Sequence, residues 1–272
     1  MRRSSERNEE RGTRNGTPRA LRHALVAAAI LATVAVATPS AQARVGSSPD
    51  PLLVASPSHV PRSSFRSSNE ASRLSIARLQ YDGGGDWYGN PSSLPNLLAA
   101  IAERTSLYVD RTEGRVTLTD DRLWDYPFLH ATGHGNMVLS DAEIDRLREY
   151  LARGGFLHVS DNYGFDESFR REIARVFPDR PLVDVPLSHP IYHLVYEFPN
   201  GVPKIHEHDA KPARGLGIFI GDRLAVFYDY QSDLGNGWED VGTYNDPPAL
   251  HEAALRMGIN LFVYAVTSRP TP

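Results

Sequence analysis

From Leu74 onward the chain changes period repeatedly: a short apolar run, then a segment whose apolar residues recur every three or four positions, then another short run. Each helix of that kind has one stripe to bury, and consecutive strands separated by helices pair side by side. The pattern therefore predicts an α/β domain with a mostly parallel sheet and helices on both faces. The strands are read at "LSIARLQY" (Leu74–Tyr81), "YPFLHATG", "FLHVSD" and "PLVDVP", with a hairpin in "GIFIGDRLAVFYDY" turning at Gly-Asp. "LYVDRTEGRVTL" reads as a strand or a hairpin.

The helices carry matching signals. Leu94, Leu97, Leu98 and Ile101 share a face, with Pro95 tolerated in the first turn. Ser140 with Glu143 three positions on makes a capping box before the Ile144, Leu147, Leu151 stripe, which Gly154 and Gly155 end. Phe169, Ile173, Val176 and Phe177 form the next stripe, for which Asp166 is expected to be the cap. A last helix starts at Pro247 and buries Leu250, Ala254, Leu255 and Met257. There is no internal repeat.

The first 72 residues follow different rules. Scattered arginines from Arg2 to Arg22 precede the apolar run Ala24 to Ala37 and the small residues Ala41 and Ala43. This is the pattern of a secretory signal peptide cleaved after Ala43. The competing reading, an uncleaved anchor, needs about 20 apolar residues, and this run is shorter. Residues 44–72, rich in Ser, Pro and Arg, read as a flexible tether, and residues 73–269 as the folded domain. The expected location is exported, periplasmic or extracellular. The whole chain carries a formal charge of −4, and the leader's seven Arg against three Glu leave the mature part near −8. That balance argues against nucleic acid or an anionic membrane surface as partner. The chain has no cysteine, which removes disulfides, thiolate metal sites and cysteine nucleophiles.

The motifs "GGDWYGNPSSLPNLL", "PFLHATGHGNMVLSDAEIDRLREYL", "GGFLHVSDNYGFDESFRRE", "HPIYH", "PKIHEHD", "SDLGNGWED" and "MGINLFVYAVT" occur in an order that resembles the bacterial DUF4159 family, from about Leu74 to Thr267. That resemblance implies a three-layer, flavodoxin-like architecture of the class I glutamine amidotransferase type, often attached to membrane proteins, with no established activity. Amidotransferases of that type carry a cysteine on the sharp turn between a strand and a helix. Here the comparable stretch, "HVSDNYGF", offers Ser160 and Asp161, so glutamine cleavage through a thioester is ruled out.

In open parallel sheets ligands bind beyond the carboxyl ends of the strands, which places "TGHG" and "SDNYG" on one rim. Gly133 and Gly135 read first as a tight turn that displays His134 there. The Gly-rich stretch "YDGGGDWYG" lacks phosphate-loop spacing, and Asp82 and Asp86 would repel a phosphate; Trp87 and Tyr88 are candidates to stack on a ligand. His206 and His208 alternate in "KIHEHD", a spacing that lets two imidazoles meet one divalent metal with Asp161 as a hard third ligand. His130 and His158, within strands, read as core residues. His189, held extended before Pro190, either points into the rim or marks a turn. Trp238 either closes over the rim or plugs the sheet edge.

Ser160, His134 and Asp161 supply the residue types for nucleophilic catalysis, without a G-x-S-x-G elbow. Asp161, Glu197, Glu207 and Asp209 are candidates for paired-carboxylate chemistry. Two functional readings follow: an exported module that binds a small ligand or an envelope protein partner without amidotransferase catalysis, with His134 and Asp161 on the binding rim, and a metal-assisted hydrolase using His134, Asp161, His206 and His208. A third is a structural partner in an envelope complex.

Overall fold

The computed structural model describes residues 73–268, so the leader and the tether lie outside the described residues. The elements run β1 (Ile76–Leu79), α1 (Ser93–Arg104), β2 (Gly114–Val116), β3 (Phe128–Ala131), α2 (Asp141–Ala152), β4 (Phe156–Val159), α3 (Asp166–Val176), β5 (Val183–Asp184), β6 (Leu216–Ile220), β7 (Arg223–Tyr228), α4 (Leu234–Gly237) and α5 (Pro248–Thr267). They make the expected α/β fold, a seven-stranded, mostly parallel sheet in the order β2-β1-β3-β4-β7-β6-β5. Only β6 runs against its neighbours, as the Gly-Asp hairpin requires. Among the described residues no helix is long and apolar enough to cross a membrane.

Alternation along the strands divides the core into two layers. Ile76, Phe128, Phe156 and Phe227 meet α1 and α5 on one face, whereas Ala77, Leu129, Leu157 and Tyr228 meet α2 and α3 on the other. Two helices begin on the signals in the sequence, and a third ends on a residue that gave none. The Ser140–Glu143 capping box is formed in both directions, with the Ser140 N–H donating to Glu143 Oε2 at 2.8 Å. Thr105 closes α1 with its N–H on the Ile101 carbonyl. Prolines 247 and 248 open α5 where a missing N–H does no harm.

One open reading is settled and one expectation is corrected. "LYVDRTEGRVTL" supplies a strand, β2, and no hairpin: Val109 and Gly114–Val116 both lie parallel to the β1 edge, because Asp110 accepts the Thr112 N–H and folds the residues between them into a bend. Asp166 does not cap α3. Phe165 is the cap residue, and Asp166 stands in the first turn, accepting from Arg170 Nε (2.6 Å), with the Tyr228 hydroxyl, whose one proton it shares with Asp161, 2.9 Å away. The dipole of the helix end favours a carboxylate there without any cap bond.

One polar row crosses the apolar sheet. Arg78, His130, His158 and Phe227 are register neighbours on the α1/α5 face. Arg78 is 1% exposed and pairs with Glu113 at 3.0 Å. It also donates to the carbonyls of Gly89 (2.6 Å) and Asn90 (3.0 Å), which fixes the end of the Gly-rich loop. The two imidazoles share a hydrogen bond between their Nδ1 atoms at 3.0 Å. Burial, with the charges of His158 and Arg78, pushes the His130 imidazole well below the usual histidine range. Both histidines are therefore core residues, as their strand positions predicted.

Candidate functional site

The carboxyl ends of β1, β3, β4 and β7 open onto a common rim, and the loops that leave them are laced together by backbone. Between β1 and β3 the strand order reverses, the place where such sheets form a ligand crevice. There Gly85 N–H donates to Asn136 O (2.9 Å), and the Tyr81 hydroxyl donates to Thr132 O (2.9 Å). Gly133 has φ +139°, and a Cβ on it would run into that hydroxyl, so only glycine makes this turn. The turn displays His134, whose Nδ1 lies 3.1 Å from Asp86 Oδ2 while its backbone N–H donates to Asp86 Oδ1. The side chain remains 52% exposed. Trp87 is half-buried against the α2/α3 layer, and Tyr88, edge-on to it at 5.5 Å, is exposed.

At the ends of β4 and β7 the polar groups are buried and crowded. Asp229 accepts from the Asp161 N–H (2.7 Å), the Leu234 N–H (2.9 Å) and the Ser160 hydroxyl (3.2 Å). Ser160 Oγ also accepts the Gly235 N–H at 2.9 Å and is fully buried. Asp161 turns the other way, accepting from the Tyr228 hydroxyl (2.7 Å) and the Gln231 N–H (2.6 Å). Burial, helped by the charges of Asp229 and Asp166, pushes its carboxyl up to about 6 against the pull of those two donors. Burial likewise carries Asp233 up to about 7, although His208 stands 3.4 Å away and is itself raised by that contact. The Asn162 amide, oriented by its neighbours, donates to Asp233 at 2.6 Å and accepts from Thr132 Oγ1 at 3.1 Å.

Gln231 and Asp233 hold φ of +60° and +61°. For residues with a Cβ this costs on the order of 1 kcal/mol each and persists only where the surroundings impose it. Asp233 is imposed by its role at the start of α4, accepting the Asn236 N–H. The resulting loop walls a cavity of about 320 Å³ at the rim. Carboxylates line it, from Asp161, Asp166, Glu167 and Asp209; Tyr163 and Tyr230 supply aromatic surface, and Lys211, His208 and Gln231 complete the wall.

The structure brings together Asp161, Asp209 and His208 and leaves other candidates elsewhere. The His206 ring is 5.3 Å from that of His208 and 6.1 Å from Tyr244, outside the cavity wall. His189 marks a turn: its Nδ1 accepts the Ile191 N–H at the start of a short 3-10 helix, and its ring packs on Phe219 and Tyr264. Tyr264 binds the N–H of Leu224, near the start of β7, so His189 sits at the end of the sheet away from the rim. Trp238 is corrected as a rim residue. It is 0% exposed, donates Nε1–H to Ala254 O at 2.8 Å, and lies over His130 and His158 at 5.5 and 5.3 Å. Glu197 pairs with His193, and Glu207 with Lys204, both outside the cavity wall. Among the described residues no three His, Asp or Glu side chains form a group that could hold a metal ion.

A family model described as "Domain of unknown function (DUF4159)" matches residues 75–266. The chain belongs to the DUF4159 family. No curated protein matches it. The matched span of the DUF4159 domain begins one residue before β1 and stops one residue short of the end of α5, so it includes every rim loop. Tyr228, Gln231 and Asp233 were not singled out in the sequence. The signal that could have found them is their place in "FYDYQSD", directly at the end of a strand.

Proposed function

We propose that this DUF4159 domain is an exported binding module that holds a small polar ligand in the rim cavity and performs no amidotransferase chemistry. The observation that carries the reading is the contrast between two neighbours. Ser160, at the turn where the resembling scaffold would carry its nucleophile, is sealed, with its hydroxyl bonded to Asp229 and to the Gly235 N–H. Asp161, the next residue, lines an open cavity whose volume lies in the range of ligand sites. Export rests on the leader pattern of residues 1–43.

Two measurements test this. Incubation with glutamine should release no ammonia and leave no covalent adduct by mass spectrometry; an adduct would overturn the non-covalent reading. A panel of small amines, polyols and carboxylates, followed by amide chemical shifts, should move residues of the Asp161–Gly164, His208–Lys211 and Tyr230–Gln231 segments. If no probe moves those signals, the cavity is not a binding site.

A further inference from the structure

Resting on the binding-module reading, we infer that the rim cavity is built for an organic cation, a ligand bearing an ammonium or guanidinium group. The first observation is a buried acceptor with no donor. Gln231 is 4% exposed and lines the cavity; its Nε2 donates to Asp209 Oδ2 at 3.3 Å, and its Oε1 has no hydrogen-bond partner. A carboxylate can only accept, so Asp209 fixes which end of the amide faces it and the oxygen stays bare. Buried polar atoms are nearly always paired, and this one would be paired by an N–H or O–H from a ligand.

The second observation selects among such ligands. Asp161 accepts only from neutral donors, Tyr228 and the Gln231 backbone; among the described residues no Lys or Arg pairs with it, and the basic group on its wall, His208, is turned to Asp233 at 3.4 Å. Asp166 and Asp209 are answered by Arg170 (2.6 Å) and Lys211 (3.4 Å); the exposed Glu167 adds a further negative charge. A neutral polyol would satisfy the amide and leave Asp161 without a direct cationic partner. An anion would meet this acidic wall. A cation with N–H donors answers both the orphaned oxygen and the carboxylate that only neutral donors hold.

The aromatic surface agrees. Tyr230 already carries the Arg170 guanidinium 5.2 Å from its ring centre, a cation held on the same wall by the chain itself. Tyr163, 65% exposed, offers a second face that solvent now covers.

Calorimetric titration of the full chain with agmatine, sorbitol and succinate at low salt tests the inference. Agmatine should bind at one site, more weakly as salt is added, while sorbitol and succinate give no binding. Asp209→Asn, an exposed and nearly isosteric change, should weaken agmatine about tenfold, and Gln231→Ala by a similar factor. The melting temperature of each unliganded variant identifies any loss of fold, and Asp209→Asn alone suffices if Gln231→Ala is lost. Sorbitol or succinate binding in place of agmatine would overturn the cation assignment and leave the binding module standing. Agmatine affinity unchanged in folded Asp209→Asn would place the cation elsewhere and overturn the site. Binding by none of the three overturns the inference, and the chemical-shift panel then judges the module separately.

Discussion

Replacing Asp161 by Asn should change how the stability of this domain depends on pH, and the size of the change follows from the site. In the folded chain the Asp161 carboxyl is pushed up to about 6, from 3.8 in the unfolded chain, because it is buried beside Asp229 and Asp166. The folded state therefore keeps its proton to higher pH than the unfolded state does. Stability contributed by the protonated carboxyl is fully present below about pH 4 and is lost as pH rises through about 6. A rise of about two pH units, at about 1.4 kcal/mol each, makes the loss about 3 kcal/mol. In the Asp161→Asn variant the side-chain amide does not titrate, and the Tyr228 hydroxyl can turn to accept from it, so the substitution removes this dependence with little change of shape. Urea unfolding of both proteins, followed by tryptophan fluorescence between about pH 4 and about pH 8, reads the difference. Relative to wild type, Asp161→Asn should gain about 2.4 kcal/mol across that window, the remainder of the loss falling below about pH 4. Asp233 is raised too and adds slope of the same sign to both proteins, so it cancels in the comparison, whereas His208 is raised in part by the Asp161 charge and its slope is smaller in the variant, which widens the difference in the same direction. Parallel curves would mean that Asp161 is not held in a desolvated site, and the account of the cavity wall would fail with it.

Two further substitutions probe the residues beside the cavity. Trp238→Ala should cost about 3–5 kcal/mol by denaturant unfolding, because a fully buried indole is removed from between α5 and the His130–His158 pair; a cost within about 0.5 kcal/mol would mean an exposed ring. Ser160→Cys should leave a thiol that an added aromatic disulfide reagent cannot reach in the folded chain and titrates fully in urea. Rapid labelling of the native protein would show that this turn opens and would restore it as a place for a nucleophile.

The order of strands and helices was legible because each switch of period is flanked by its own punctuation: Ser140 and Glu143 before α2, Gly154 and Gly155 after it, Gly221 and Asp222 between β6 and β7. The same alternation put the turns that carry His134 and Asp161 at the carboxyl ends of β3 and β4, where the loops that carry them begin. What stayed hidden depends on backbone that local rules do not favour. Left-handed Gln231 and Asp233 bend the chain after β7, and the second of these starts a four-residue helix too short to leave a periodic signal. That bend carries Trp238 inward, so a tryptophan among Gly, Asn, Glu and Asp, which reads equally as a surface loop, lies in the core. His189 was ambiguous for a different reason: a residue before proline is extended whether it faces a ligand or caps a turn.

The sheet is bordered by two of its shortest strands, three residues in β2 and two in β5. Each outer border offers a neighbouring molecule only a few free backbone groups, and at β5 the Arg214–Asp184 pair crowds even these. Among the described residues there is thus little template for one copy to add itself to another as an eighth strand. Lasting contact between copies of the described domain would then be made by side chains of helices and loops rather than by strand addition.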